Sequence, residues 1–299
     1  MRRPHPLAAV LVLAGIAVFP WFVERAAAQP PPAPPAIVEE DEPLPDESAS
    51  AEPASVPPDA AAPVGGAAVT ERDGMIRVPG ATYTMGSSDP RSLSNERPRH
   101  VVTVAPFWID RTEVTVQAYR ECVVGHACAR PTKASTSCTY DAGDPRLPVS
   151  CVRWQDAEAF CRAAGKRLPR EAEWELAGRG PGGRKYPWLG PSTGCFLAAT
   201  LVGELTARSC TKRPSPVGAH PGGATPSGIQ DLAGNVEEWT ADWYVENLAN
   251  GEAPAAGASH VLRGGGWLSP PSAGRMTSRN WGSSVEAGPN VGFRCARDD

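Results

Sequence analysis

The side chains with the widest chemical repertoire in this 299-residue chain are eight cysteines: Cys122, Cys128, Cys138, Cys151, Cys161, Cys195, Cys210 and Cys295. Thiols at fixed positions ligate soft metals, exchange electrons or cross-link the fold. Zinc ribbons and thioredoxin-like sites place two residues between paired cysteines, and no such pair occurs here. The five histidines, His5, His100, His126, His220 and His260, are scattered without ligand spacing, which argues against a histidine metal site. The glycine-rich stretch GRGPGG at 178–183 has the composition of a phosphate loop but follows a helical pattern instead of a strand and contains Pro181, so that reading is set aside. No GxSxG, HExxH or Walker pattern is present. An even cysteine count is therefore read as a disulfide framework, provided the chain reaches an oxidising compartment.

The N-terminus supplies that route. Arg2 and Arg3 precede an apolar run from Leu7 to Phe22 and a small-residue site at Ala26-Ala27-Ala28, the order of a cleavable signal peptide over residues 1–28. The run is shorter than the ~20 residues a membrane-spanning helix needs. The expectation is a secreted or periplasmic protein without stable membrane insertion after cleavage; an uncleaved signal would make it an N-terminal anchor. Residues 29–71 hold eleven prolines, nine acidic residues and no Lys or Arg, the composition of a disordered, negatively charged linker.

Three of the 29 basic residues lie in the signal, and ten of the 33 acidic ones lie in signal and linker, which leaves 26 against 23 in residues 72–299. Such a near-neutral domain lacks the clustered positive field of a nucleic-acid surface. It is long enough for one domain with a substantial core.

Within it, residues 75–85 alternate around Pro79-Gly80 and read as a hairpin, and 100–109 read as a strand. Residues 112–123 shift to helical spacing with Val116, Tyr119 and Val123 on one face. Residues 154–169 read as an amphipathic helix stopped near Gly165, with Trp154, Ala157, Phe160 and Cys161 facing inward; a second helix covers 171–178. From 178 to 230 Gly and Pro recur every few residues, the pattern of a region held by cross-links, ions or loop packing.

Several strings now stand in order: IRVPGATYTMGS (76–87), PFWIDRTEVTVQAY (106–119), PVSCVRWQDAEAFCRAAGKRLPREAEWELAGRG (148–180), GIQDLAGNVEEW (228–239), VLRGGGW (261–267) and NVGFRCA (290–296). Together they closely resemble the formylglycine-generating enzyme, or sulfatase-modifying factor, family over nearly all of 72–297. The resemblance implies an α+β, turn-rich fold of formylglycine-generating-enzyme type, related to C-type lectins. Its best-known members are copper-dependent oxidases that convert a cysteine in a CxPxR motif to formylglycine; others oxidise sulfur compounds with iron or have no known catalysis. It also implies a Cys161–Cys295 disulfide. Adjacency suggests Cys195 with Cys210 and two bridges among Cys122, Cys128, Cys138 and Cys151, whose pairing stays open.

In catalytic members two cysteines after the RGGSY-like segment bind Cu(I) as soft thiolates. Laid on that pattern, Ser269 takes the first position and Gly274 the second, and Gly266 replaces a nearby serine. A serine hydroxyl is a hard, protonated donor and glycine offers nothing, so copper is not expected. Cys195 or Cys210 could stand in only by giving up their pairing. The remaining residues of the old cleft are expected to be Arg263, Gly266, Trp267, Ser269, Arg275, Arg279 and Asn280, able to bind a ligand by charge and stacking.

The resemblance further implies a calcium site at the Asp231 and Glu238 carboxylates with the Gly234 and Val236 carbonyls, all hard oxygen donors. A second family calcium site would fall near Thr200 and Arg208, where its ligands are replaced and an arginine would repel the ion. The function expected is that of a non-catalytic binding or scaffold module for a protein, peptide or glycan, with no nucleic-acid partner. The competing expectation is an oxidoreductase, sulfatase-modifying or sulfur-oxidising and metal-dependent, using a variant site in the same cleft.

Overall fold

The computed structural model describes residues 70–131, 135–190, 194–195, 197–200, 210–247 and 254–299; the signal, nearly all of the linker and Arg208 lie outside them. Its first ordered strands are β1 (Glu71–Arg72), β2 (Met75–Val78), β3 (Ala81–Met85), β4 (His100–Val104) and β5 (Phe107–Asp110). Residues 75–85 are not a hairpin. β2 pairs antiparallel with β5 and β3 with β4 in one continuous register, so that 75–85 is a single bent strand lying against 100–110. That register sets Pro79 opposite Pro106. Neither nitrogen can donate, so the ladder breaks on both strands at one level and the ribbon folds there. Gly80 makes the bend possible, since a Cβ on it would lie 2.6 Å from the Val104 carbonyl oxygen.

Three helices follow: α1 (Val116–Val124), α2 (Trp154–Ala163) and α3 (Glu171–Arg179). Thr115 caps α1, its hydroxyl accepting from the Ala118 amide at 3.2 Å. α1 buries Val116 and Tyr119, with Val123 packed at the edge of the core, and α2 buries Ala157, Phe160 and Cys161 with Trp154 half-covered. α2 stops sooner than the predicted 169, because Gly165 turns into the left-handed region (φ 68°).

The remaining strands are β6 (Glu237–Trp243), β7 (Ser259–Arg263), β8 (Arg279–Ser283), β9 (Val291–Gly292) and β10 (Ala296–Asp298). They form a sheet of order β8-β7-β6-β9, while β10 joins the first sheet in the order β1-β2-β5-β10. The chain is thus α+β, with three short helices set among small sheets. As expected, 180–230 contains almost no regular structure among its described residues.

All eight cysteines pair: Cys122–Cys128, Cys138–Cys151, Cys161–Cys295 and Cys195–Cys210. Cys161–Cys295 ties α2 to the segment entering β10 across 134 positions and is fully buried among Phe160, Leu168 and Phe293. Four disulfides belong to a protein that folds in an oxidising compartment. Among the described residues no helix is long and apolar enough to cross a membrane.

Candidate functional site

The segment carrying Ser269 and Gly274 runs from the end of β7 to the start of β8. Gly264 and Gly265 both have positive φ, which lets the chain reverse directly off the strand. Ser269 folds back on the turn. Its hydroxyl accepts from the Gly266 amide at 3.0 Å and from Asn290 Nδ2 at 3.1 Å. Asn290 Oδ1 in turn accepts from the Leu268 amide at 3.0 Å and lies 2.3 Å from where a Cβ on Gly266 would stand. A serine at 266 would require Asn290 to move. At Gly274 a Cβ would meet Ala233 Cβ at 3.2 Å, so the site is closed as well as empty of side chain. Ser269 and Gly274 are therefore structural parts of a packed turn.

The arginines expected to line the cleft are committed elsewhere. Arg263, fully buried, donates to Glu175 and to the Met276 and Ser278 carbonyls. Arg279 donates to Glu171 at 2.6 and 3.1 Å and to the Asn95 and Val245 carbonyls. Arg275 forks onto Glu96, both contacts at 2.7 Å. For Arg263 and Arg279 the cause lies in α3: Glu171 and Glu175, one turn apart on the helix face toward β7 and β8, claim their guanidinium groups, while Glu96 claims Arg275. Trp267 is also buried, its indole N–H donating to the Pro289 carbonyl.

Of the expected set, Asn280 opens onto a cleft of about 460 Å³ between β6, β8 and β9. Its other notable walls are Glu237, Trp239, Trp281 and Glu286. Glu237 accepts from Asn280 Nδ2 at 3.0 Å, and burial pushes its carboxyl above the usual carboxylate range against the pull of the Asn280 and Asn290 hydrogen bonds. Trp281, the next residue along β8, reaches the cleft rim only through its backbone side: its half-exposed indole turns to the opposite face of the sheet and stacks on Tyr244 at 4.7 Å. Glu237 and Asn290 escaped sequence reasoning. Strand alternation in NVEEW was the available signal: residues 237 and 239 share one face of β6, and 238 and 240 the other.

That alternation buries Glu238 completely. It accepts from Arg294 Nε at 2.7 Å, Arg294 Nη2 at 2.6 Å and Trp174 Nε1 at 2.8 Å, so the guanidinium supplies at Glu238 the positive charge an ion was expected to supply. Asp231 differs. One oxygen accepts from the Gly218 amide at 2.6 Å, and its carboxyl adjoins Glu113, a buried acid neither of whose oxygens has a hydrogen-bond donor. Burial first, and the Asp231 charge second, push Glu113 well above its ordinary pKa, and burial raises Asp231 likewise. Oxygens without donors in a dry, acidic pair fit a hard cation. Among the described residues no group of three or more His, Cys, Asp or Glu side chains is placed to hold a metal, so carbonyls would have to complete any such shell.

The profile of the Sulfatase-modifying factor enzyme 1-like domain matches residues 61–299. The chain belongs to that family. Among the relatives of this sulfatase-modifying-factor chain, a formylglycine-generating enzyme of Streptomyces coelicolor is 33% identical, the alignment covering 82% of this chain and 96% of the enzyme. An inactive C-alpha-formylglycine-generating enzyme 2 of Mus musculus is 30% identical over 74% of this chain and 85% of its own length. Among solved structures, PvdO from Pseudomonas aeruginosa superposes with a TM-score of 0.62 at 26% identity, covering 75% of this chain and 94% of that one. The family thus includes relatives named for the activity and relatives named for its loss, and the local geometry has to choose between them.

Proposed function

We propose that this is an exported, non-catalytic member of the sulfatase-modifying factor family that binds a protein, peptide or glycan ligand in the cleft walled by Glu237, Trp239, Asn280 and Glu286. One observation carries the non-catalytic half: every cysteine is consumed in a disulfide, so the fold offers no thiolate to Cu(I) or to a substrate thiol. Ser269 and Gly274, locked in the turn, support the same reading. Export is supported by the signal-like N-terminus together with the four bridges. For the binding half the support is a concave wall in which the Glu237 carboxylate and the Asn280 amide meet beside Trp239 and Glu286, polar groups set against an apolar floor. Titrating peptide and glycan panels against the full chain and an Asn280→Ala variant tests it. A ligand that loses about tenfold or more in affinity with the variant supports the cleft, as expected for a hydrogen-bonding anchor worth about 1.4 kcal/mol; ligands bound equally by both proteins would remove it.

Calcium is carried in this proposal by Asp231 and Glu113 with the Gly234 and Val236 carbonyls, and no longer by Glu238. A bound ion would neutralise the buried acidic pair and tie the 231–236 loop to the segment preceding α1. Chelator is then expected to lower the melting temperature, because an ion bound only by the native state stabilises it. Glu113→Gln should abolish that chelator effect. An unchanged transition in the unsubstituted protein would leave the pair holding a proton instead.

A further inference from the structure

A second concavity lies on residues that the cleft does not use. Two adjoining cavities, of about 350 and 560 Å³, share Ser87, Asp89, Arg179 and Gly183 in their walls. Arg99 and Ser88 line the smaller; Arg91, Lys185, Ser272, Arg275 and Thr277 line the larger. The GRGPGG stretch lies here too. It leaves the C-terminal end of α3, which rules out the strand-to-helix geometry of a phosphate loop, yet Pro181, Gly182 and Gly183 form part of the wall.

The lining carries five basic residues against one carboxylate, Asp89. Pairing removes three of the cations from play. Arg91 forks onto Asp89, Arg179 meets Glu175 at 2.6 Å, and Arg275 is held by Glu96. Neither Arg99 nor Lys185 has a carboxylate within ion-pair distance among the described residues, and the Lys185 charge reaches Asp89 only across a longer gap. Arg99 reaches the Ser88 hydroxyl at 3.4 Å, and the Lys185 ammonium sits 5.6 Å over the Tyr186 ring. Each cavity therefore keeps one cation outside the ion pairs. Between them Arg179 Nε is buried without an acceptor, an unmet donor in the shared wall. Ser87, Ser88, Ser92, Ser272 and Thr277 add hydroxyls to these walls, beside Pro181 and Tyr186.

We infer that this double cavity is a binding site for a small polyol bearing two oxyanion esters, sulfate or phosphate, with one ester facing Arg99 and the other Lys185. Ammonium and guanidinium groups without partners favour singly placed oxyanions, and hydroxyl walls suit the polyol between them. The near-neutral balance of residues 72–299, 26 basic against 23 acidic, argues against a nucleic-acid track, which needs an extended basic stripe. The site shares no wall residue with the cleft at Glu237, so its failure and that of the cleft are distinguishable.

Calorimetric titration of the full chain with a disulfated disaccharide, a hexose bisphosphate, the unsubstituted disaccharide and inorganic sulfate tests the assignment. At least one diester should bind, more weakly at higher salt. Arg99→Ala and Lys185→Ala should each weaken it at least fivefold, whereas Arg162→Ala, on an exposed face of α2, should leave it unchanged; which diester binds identifies the ester. Neither buried pair is broken by the test substitutions, so thermal midpoints near the parent's should accompany the loss. Binding of neither diester, equal binding of the unsubstituted sugar, inorganic sulfate as the sole binder, or affinities indifferent to Arg99 and Lys185 would each overturn it.

Discussion

Replacing Arg294 by methionine is expected to lower the unfolding free energy by about 3–5 kcal/mol, the cost of leaving a buried charge without its partner. Arg294 and Glu238 are both fully buried. The guanidinium forks onto the carboxylate and also donates to the Asp110, Arg111 and Gln230 carbonyls, so it joins β5, the 228–236 loop and β6 at one point. Methionine fills much of the volume but strands Glu238 and three carbonyls. Pairing it with Glu238→Gln should recover part of the loss, since a neutral amide is far less costly to bury. Urea unfolding of the two variants provides the comparison; a single-variant loss under about 1 kcal/mol would show that Glu238 finds its compensating charge elsewhere.

The second large effect concerns cross-links of unequal reach. Loop-closure entropy assigns about 5 kcal/mol to Cys161–Cys295, which spans 134 positions, and about 2 kcal/mol to Cys122–Cys128, which spans 6. Substituting both members of each pair by alanine should therefore separate the two variants by about 3 kcal/mol, and by more if the space left in the core around Phe160 and Phe293 does not close. Equal losses would mean that local packing and not chain entropy sets the worth of these bridges.

The contrast between what sequence reading captured and what it missed has a common physical root. Local signals served well: the α3 span, the Gly165 stop and the turn-rich middle follow from propensity and glycine placement alone. The Cys161–Cys295 pairing came from family resemblance, and proximity in sequence correctly paired Cys195 with Cys210. Long-range competition was not legible. Pro79-Gly80 looks like a reversal until Pro106 is found opposite it, because a bend and a hairpin differ only in which strand becomes the partner. Arg263, Arg275 and Arg279 look free for a ligand until Glu96, Glu171 and Glu175 are brought beside them. The family resemblance points to Glu238 and leaves Glu237 unmarked, although the period of a strand puts Glu237 on the cleft side and Glu238 in the core. Glu113 carried no local mark, since its significance comes from Asp231, far along the chain.

Lost copper chemistry is the claim on which the functional reading rests, and it is open to a direct measurement. The full chain, incubated aerobically with Cu(I) and a CxPxR peptide and followed by mass spectrometry, should leave the cysteine mass unchanged relative to a control without protein. Formylglycine above that control, from a chain whose cysteines remain disulfide-bonded, would contradict the account.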